Sequence, residues 1–275
     1  MTSPESQAAL CDALCKLARA AGDEVMQVYA GDFAVRGKAD ASPVTDADER
    51  AERVVVDGLR VLTPDINIVA EEAVARGECP VVGTGADDLF WLVDALDGTR
   101  EFVSRNGEFT VNIALVRGGV PVLGVVFLPA SQRLYAGALG QGAFVEDGEG
   151  DGGASAQRRA IHCRAVPSAG LTVLASRSHG DEAALHAFLA GRRVAATHYA
   201  GSSLKLCLIA EGRADLYPRL GRTMAWDIAA GHAVLLAAGG AVRELSGVPL
   251  RYGARGFENP HFVASGGPTQ SPTAS

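Results

Sequence analysis

The sequence predicts a mixed α/β protein built in two sheet-containing halves, and three observations predict it. Residues 111–130, VNIALVRGGVPVLGVVFLPA, alternate in their first half around a Gly-Gly turn, as the arms of a hairpin do. From residue 171 onward, short apolar runs alternate with helical patterns, the order that β-α units take. Between them, near 166–170, the pattern changes, which sets the halves at 1–166 and 167–275.

Residues 5–30 carry Leu10, Leu14, Leu17, Ala21, Val25 and Val28 at helical spacing. Thr45 or Asp46 can cap a second helix through DADERAERVVVDGLRVL, which Pro64 ends. INIVA, residues 66–70, reads as a short strand that delivers Glu71 and Glu72 at its end. A polar stretch over 75–88 leads to the strand FWLV (90–93), the tight turn DALDGT and a short helical segment, REFVSRN. After the hairpin, RLYAGALGQGAFVE and RAIHCRAV read as two further strands separated by DGEGDGGASAQRR. The second half then reads as strand LTVLAS, helix DEAALHAFLAG, strand VAATHYA, helix SSLKLCLIAEG, strand ADLYPRL and helix WDIAAGHAVLLAAGG. GGPTQSPTAS closes the chain with the composition of a disordered tail.

With 275 residues the chain can bury a large core, in one large domain or two small ones. A net charge of −7 supplies no basic field for a nucleic-acid backbone, so a phosphate-bearing ligand would need local help. The five cysteines form an odd, scattered set; Cys11 and Cys15 lie one helical turn apart with no second pair, which argues for reduced thiols in a cytoplasmic protein and against a zinc site. The N-terminal residues lack the basic and apolar regions of a signal peptide, and no apolar run approaches a membrane span. The stretch 148–153 fits GxGxxG, and the same region imitates a calcium loop. It is acidic, has no helix behind it and carries Arg158 at the twelfth calcium-loop position, so it reads as a hairpin insertion.

Chemistry concentrates at residues 94–99. An apolar strand that runs into Asp94 places a carboxylate at the carboxyl edge of a sheet, where α/β proteins open their crevices. Asp97 can face the same side if 94–97 form a turn, and two such close carboxylates repel unless protonated or neutralised by a cation. Hard oxygen donors of this kind suit magnesium. Gly98 permits close backbone approach, and Gly98-Thr99 open a helical segment whose N–H groups favour a phosphate. A lone DxxDG is commonly only a turn. Three further acidic stretches add to it: Glu71-Glu72; KADASPVTDAD, with Asp48; and Ala225-Trp226-Asp227. Each has a plain alternative, since Asp46, Asp48 and Asp227 could be no more than helix-capping acids.

Taken in order, Glu71-Glu72, WLVDALDGT and WDIAAG resemble the lithium-sensitive, magnesium-dependent sugar-phosphatase superfamily typified by inositol monophosphatase. KADASPVTDAD, RNGEFTVNIAL, SRSH, GSSLKLCLIAEGRADLYPRL and ENPHFVASG are similar to the bacterial 3′(2′),5′-bisphosphate nucleotidases of sulfate assimilation. Ala95 departs from the usual proline of that pattern, and the 146–159 loop is longer than a plain hairpin turn. The resemblance implies an αβαβα layered sandwich with its site in the cleft between the halves, and suggests a homodimer. It implies that Glu71, Asp94, Asp97, Asp227 and the carbonyl of Leu96 hold two or three magnesium ions. Thr99, bonded to Asp48, would then activate the attacking water. Gly98, Thr99, His179, Ser202, Lys205, Arg219 and Asp227 would surround the substrate; the plain alternatives are a solvated helix residue at Lys205 and a loop cap at His179. The implied substrate is adenosine 3′,5′-bisphosphate or its sulfated form. Inositol monophosphatase or fructose-1,6-bisphosphatase activity, and a non-catalytic metabolite sensor, are the competing readings.

Overall fold

The computed structural model describes residues 4–37, 43–148, 157–177 and 181–267. His179, Lys38 and the central part of the 146–159 loop, with both motif imitations it carries, lie outside the described residues, as does nearly all of the tail. The first half opens with α1 (Pro4–Tyr29), the short pair β1 (Arg36–Gly37) and β2 (Pro43–Val44), and α2 (Asp46–Leu62). β3 (Asn67–Ala70), α3 (Glu71–Ala75), β4 (Leu89–Asp97) and α4 (Thr99–Val103) follow. β5 (Thr110–Arg117), β6 (Val120–Leu128), β7 (Arg133–Ala138), β8 (Gly142–Glu146) and β9 (Arg158–Ile161) complete it. The second half contains β10 (Leu171–Ser176), α5 (Glu182–Leu189), β11 (Val194–Ala200), α6 (Leu204–Ala210), β12 (Leu216–Arg219), α7 (Ala225–Ala237), β13 (Ala241–Glu244) and β14 (Phe262–Ser265).

Strands β3 to β9 form one sheet in sequence order, antiparallel except for the parallel β3–β4 pair. A second sheet has the order β11-β10-β12-β14-β13. Within it β10 pairs in parallel with both β11 and β12, so the two crossovers run in opposite directions. Right-handed crossovers therefore put α5 and α6 on opposite faces of that sheet. The layers run α1 and α2, large sheet, α6 and α7, small sheet, α5: a mixed α/β sandwich.

The unbroken FWLV run has a direct cause, because β4 is covered on both faces. Phe90 and Leu92 join the core shared with α7, α6 and the small sheet; Trp91 and Val93 join the core under α1 and α2. Helix α7 lies between the two sheets and is buried nearly all round, which explains why its sequence shows almost no polar stripe. It seats on glycines: a Cβ at Gly124 of β6 would lie 2.4 Å from the Ala230 carbonyl oxygen, and one at Gly137 of β7 would lie 2.9 Å from Val234 Cα.

The structure corrects several sequence readings. RLYAGALGQGAFVE is two strands, β7 and β8, joined through Gly140 at φ 81°, a turn hidden among small residues. RAIHCRAV keeps strand geometry only to Ile161. DALD is not a tight turn but the bulged end of β4. Strands β13 and β14 were not anticipated. Their four residues each are too short to show a period, and they are held by antiparallel pairing to each other and to β12.

Candidate active site

Asp94 continues the alternation of Phe90 and Leu92 and so points toward α7. Regular strand geometry would turn Asp97, three residues on, to the opposite face. The β4–β5 register prevents this: Asp94 pairs with Asn112 and Asp97 with Thr110, so β4 spends one extra residue in a bulge. Both carboxylates thereby line one cavity. Within the bulge the Leu96 N–H donates to Asp94 Oδ1 at 3.1 Å. The chain then turns through Gly98 at φ 93°, where a side chain would be strained, into α4. Phe102 of α4 anchors that turn by packing on the rings of Tyr29, Phe33 and Phe109.

Glu71 opens α3 directly after β3. Buried Glu52 of α2 fixes this point by accepting the Glu72 N–H at 2.7 Å. Asp227 lies in the first turn of α7 and accepts the Met224 N–H at 2.9 Å. The capping role is therefore real, and the same residue lines the cavity. One carboxylate oxygen each from Glu71, Asp94 and Asp227 lie within 4.8 Å of one another. Asp97 lines the same cavity outside this trio. Burial above all, with the charges of Glu71 and Glu101, pushes Asp97 up to about 6 against a lowering pull from Lys205. Burial, then the charges of Asp97 and Glu71, raises Asp227 well above the usual carboxylate range. Clustered hard oxygens that resist carrying their charge alone are the donor set a magnesium ion takes, and the residues present fit it.

Thr99 donates its hydroxyl to Asp48 Oδ1 at 3.0 Å. The other Asp48 oxygen holds the Thr45 N–H at 2.7 Å and hydroxyl at 2.8 Å, the N-cap of α2. Asp48 thus both caps its helix and grips Thr99, whereas Asp46 is exposed and paired with Arg36.

The cavity measures about 740 Å³. Leu96, Gly98, Ser202, Lys205 and Arg219 all line it with the acids. Lys205 and Arg219 are buried, so the reading of Lys205 as a solvated helix residue fails. Its ammonium donates to the Ser202 and Ala200 carbonyls at 2.7 and 3.1 Å and lies over the Tyr217 ring. Burial lowers it to about 8, with Asp97 opposing that fall. Arg219 donates to the Arg222 carbonyl at 2.7 Å. Ser202 has φ 43°, and its hydroxyl has no partner among the described residues. Sequence reasoning missed Tyr217, Arg222 and Trp226 as lining residues, and also Ser203, which donates its N–H to Asp97 Oδ2 at 2.8 Å.

A family model described as the inositol monophosphatase family matches residues 6–268. The 3′(2′),5′-bisphosphate nucleotidase CysQ of Escherichia coli O6:H1 is 48% identical over 260 residues, covering 93% of this chain and 99% of that protein. An inositol-1-monophosphatase of Mycobacterium bovis is 32% identical over 82% of this chain and 76% of its own length. The crystal structure of CysQ from Bacteroides thetaiotaomicron superposes with a TM-score of 0.73 at 35% identity, covering 93% of this chain and 97% of that one.

Proposed function

The chain belongs to the inositol monophosphatase family, and from that premise we propose that it hydrolyses the 3′-phosphate of adenosine 3′,5′-bisphosphate to give AMP. The sulfated analogue would likewise give adenylyl sulfate. The chain is a phosphatase of that family, of the bisphosphate nucleotidase class. One observation carries the choice of substrate: the cavity is lined by carboxylates and also by two buried cations, Lys205 and Arg219. The acids suit a metal-assisted reacting phosphate, and the cations suit a second phosphate that is bound but not cleaved.

In this reading Glu71, Asp94, Asp97, Asp227 and the Leu96 carbonyl hold two or three magnesium ions. Bound there, magnesium supplies the positive charge that stabilises attacking and leaving oxygens in an in-line displacement. The Thr99 hydroxyl, having donated its proton toward Asp48, leaves its oxygen free to accept from a water. The proton moves from that water to Thr99 Oγ1 as the Thr99 proton passes to Asp48. Gly98 lets the backbone approach the reacting phosphate. Ser202, Lys205 and Arg219 would surround the nucleoside and its second phosphate, and the resemblance assigns His179 to the same task. All five cysteines are free, and among the described residues no helix is long and apolar enough to cross a membrane.

A panel of phosphate esters assayed with magnesium, with and without lithium, tests the proposal. Adenosine 3′,5′-bisphosphate should be turned over with the highest kcat/KM, and lithium should inhibit. Preference for inositol 1-phosphate or fructose 1,6-bisphosphate would transfer the assignment to those activities. Arg219→Ala should raise KM for adenosine 3′,5′-bisphosphate by roughly 10- to 100-fold, the loss expected for a charged hydrogen bond. Inositol 1-phosphate, with one phosphate, should be affected far less; equal effects on both would count against a nucleotide-specific role.

A further inference from the structure

Ser203 occupies a singular place. It is buried, it belongs to the second half, and it touches two of the candidate metal-binding acids. Its backbone N–H donates to Asp97 Oδ2 of β4 at 2.8 Å, and its hydroxyl donates to the backbone carbonyl of Asp227 of α7. These two contacts join segments 106 and 24 residues away in sequence.

The turn that delivers Ser203 is built with care. Ser202 sits in the left-handed region at φ 43°, an uncommon conformation for a side-chain-bearing residue that surrounding contacts must enforce. From inside, the Lys205 ammonium holds the Ala200 and Ser202 carbonyls. From outside, one carboxylate does the fixing. Glu108, in the loop after α4, accepts the Gly201 N–H at 2.8 Å and a two-point contact from Arg177 at 3.0 and 2.9 Å. Arg177 also donates to the Tyr199 carbonyl, which closes the clamp on the end of β11. Gly201 has no room for more: a Cβ there would lie 2.8 Å from the Glu108 carbonyl oxygen.

We infer that Ser203 is a positioning residue, set by the Glu108 clamp, that holds Asp97 and the first turn of α7 in the mutual arrangement metal binding requires. The inference rests on the metal-dependent reading above. Its physical content is preorganisation. Asp97 and Asp227 repel, and a carboxylate free to rotate away would relieve that repulsion before a cation arrives. Ser203 keeps the Asp97 carboxylate and the Asp227 backbone in place. The same residue joins the turn that carries Ser202 to both acids.

The test is magnesium binding to the substrate-free protein by titration calorimetry, alongside steady-state kinetics and thermal unfolding. Ser203→Ala removes only the hydroxyl contact, and Glu108→Ala releases the clamp. Each should weaken magnesium binding at least fivefold and raise the magnesium concentration for half-activation in parallel. With saturating magnesium, much of the wild-type kcat should return. Glu108→Gln, which keeps an acceptor for Gly201, should lose less than Glu108→Ala. A wild-type protein that binds no magnesium would overturn the metal reading itself. Wild-type binding with both alanine variants within twofold of it would overturn the positioning role alone, even if their unfolding temperatures fall.

Discussion

Asp94→Asn is expected to lower magnesium-dependent phosphate release by on the order of 10³-fold while leaving the fold intact. The asparagine is isosteric, and its oxygen can still accept the Leu96 N–H that Asp94 now holds at 3.1 Å. What it removes is one ionisable carboxyl from a trio whose oxygens are drawn to within 4.8 Å. Those charges oppose one another in the folded chain, so the substitution relieves repulsion at the same time as it removes a cation ligand. Thermal unfolding without magnesium should therefore occur at the same temperature or higher, and the stabilisation that magnesium gives the wild type should shrink. Asp46→Asn, at an exposed carboxylate on the same helix as Asp48, is the control and should change neither quantity. Near wild-type turnover by the Asp94 variant would remove the basis of the proposed mechanism.

The second large effect lies in packing. Gly124→Val should destabilise the protein by about 3 kcal/mol or more, at the upper end of overpacking costs. A Cβ there would meet the Ala230 carbonyl at 2.4 Å and Ala233 Cβ at 2.8 Å, so the contact is with a helix backbone that no rotamer change can move. Helix α7 must lift from the sheet, and Asp227 in its first turn must travel with it. At about 2–4 °C per kcal/mol for a chain of this size, unfolding should shift by roughly 6–12 °C. Activity should fall further than the folded fraction accounts for, because the trio of acids opens. Gly31→Ala, where a Cβ would find only an ordinary contact at 3.8 Å, should be neutral. A Gly124 variant with unchanged unfolding temperature would mean that the helix and sheet do not approach this closely.

Much of the site could be read from sequence because each acid interrupts an apolar pattern. Asp94 follows the apolar run of a doubly covered strand, Glu71 follows the apolar end of a short one, and Asp227 stands alone at the head of an apolar helix. Such placement is costly for a surface residue to imitate. The bulge was not legible, since nothing local in DALD distinguishes a turn from a strand with one extra residue; only the pairing of Asp94 with Asn112 and Asp97 with Thr110 does. Lys205 can be read as surface because helical periodicity cannot say which face meets the sheet, and the structure buries it against the Tyr217 ring. Glu108 and Ser203 were missed for the same reason at greater range: their partners lie 93 and 106 residues away. Strands β13 and β14 escaped because four residues show no period, and long-range pairing alone makes them strands.

The seating of α7 on Gly124 and Gly137 also bears on biosynthesis. Strands β4 to β8 are all translated by residue 146, yet the helix that covers their second face begins only at Ala225. At roughly 5–20 residues per second, a nascent chain would present that greasy, glycine-pitted surface for several seconds before its lid leaves the ribosome. Chaperone dependence and inclusion-body formation should accordingly track this interval, and slow codons between positions 150 and 220 should worsen the yield of soluble enzyme.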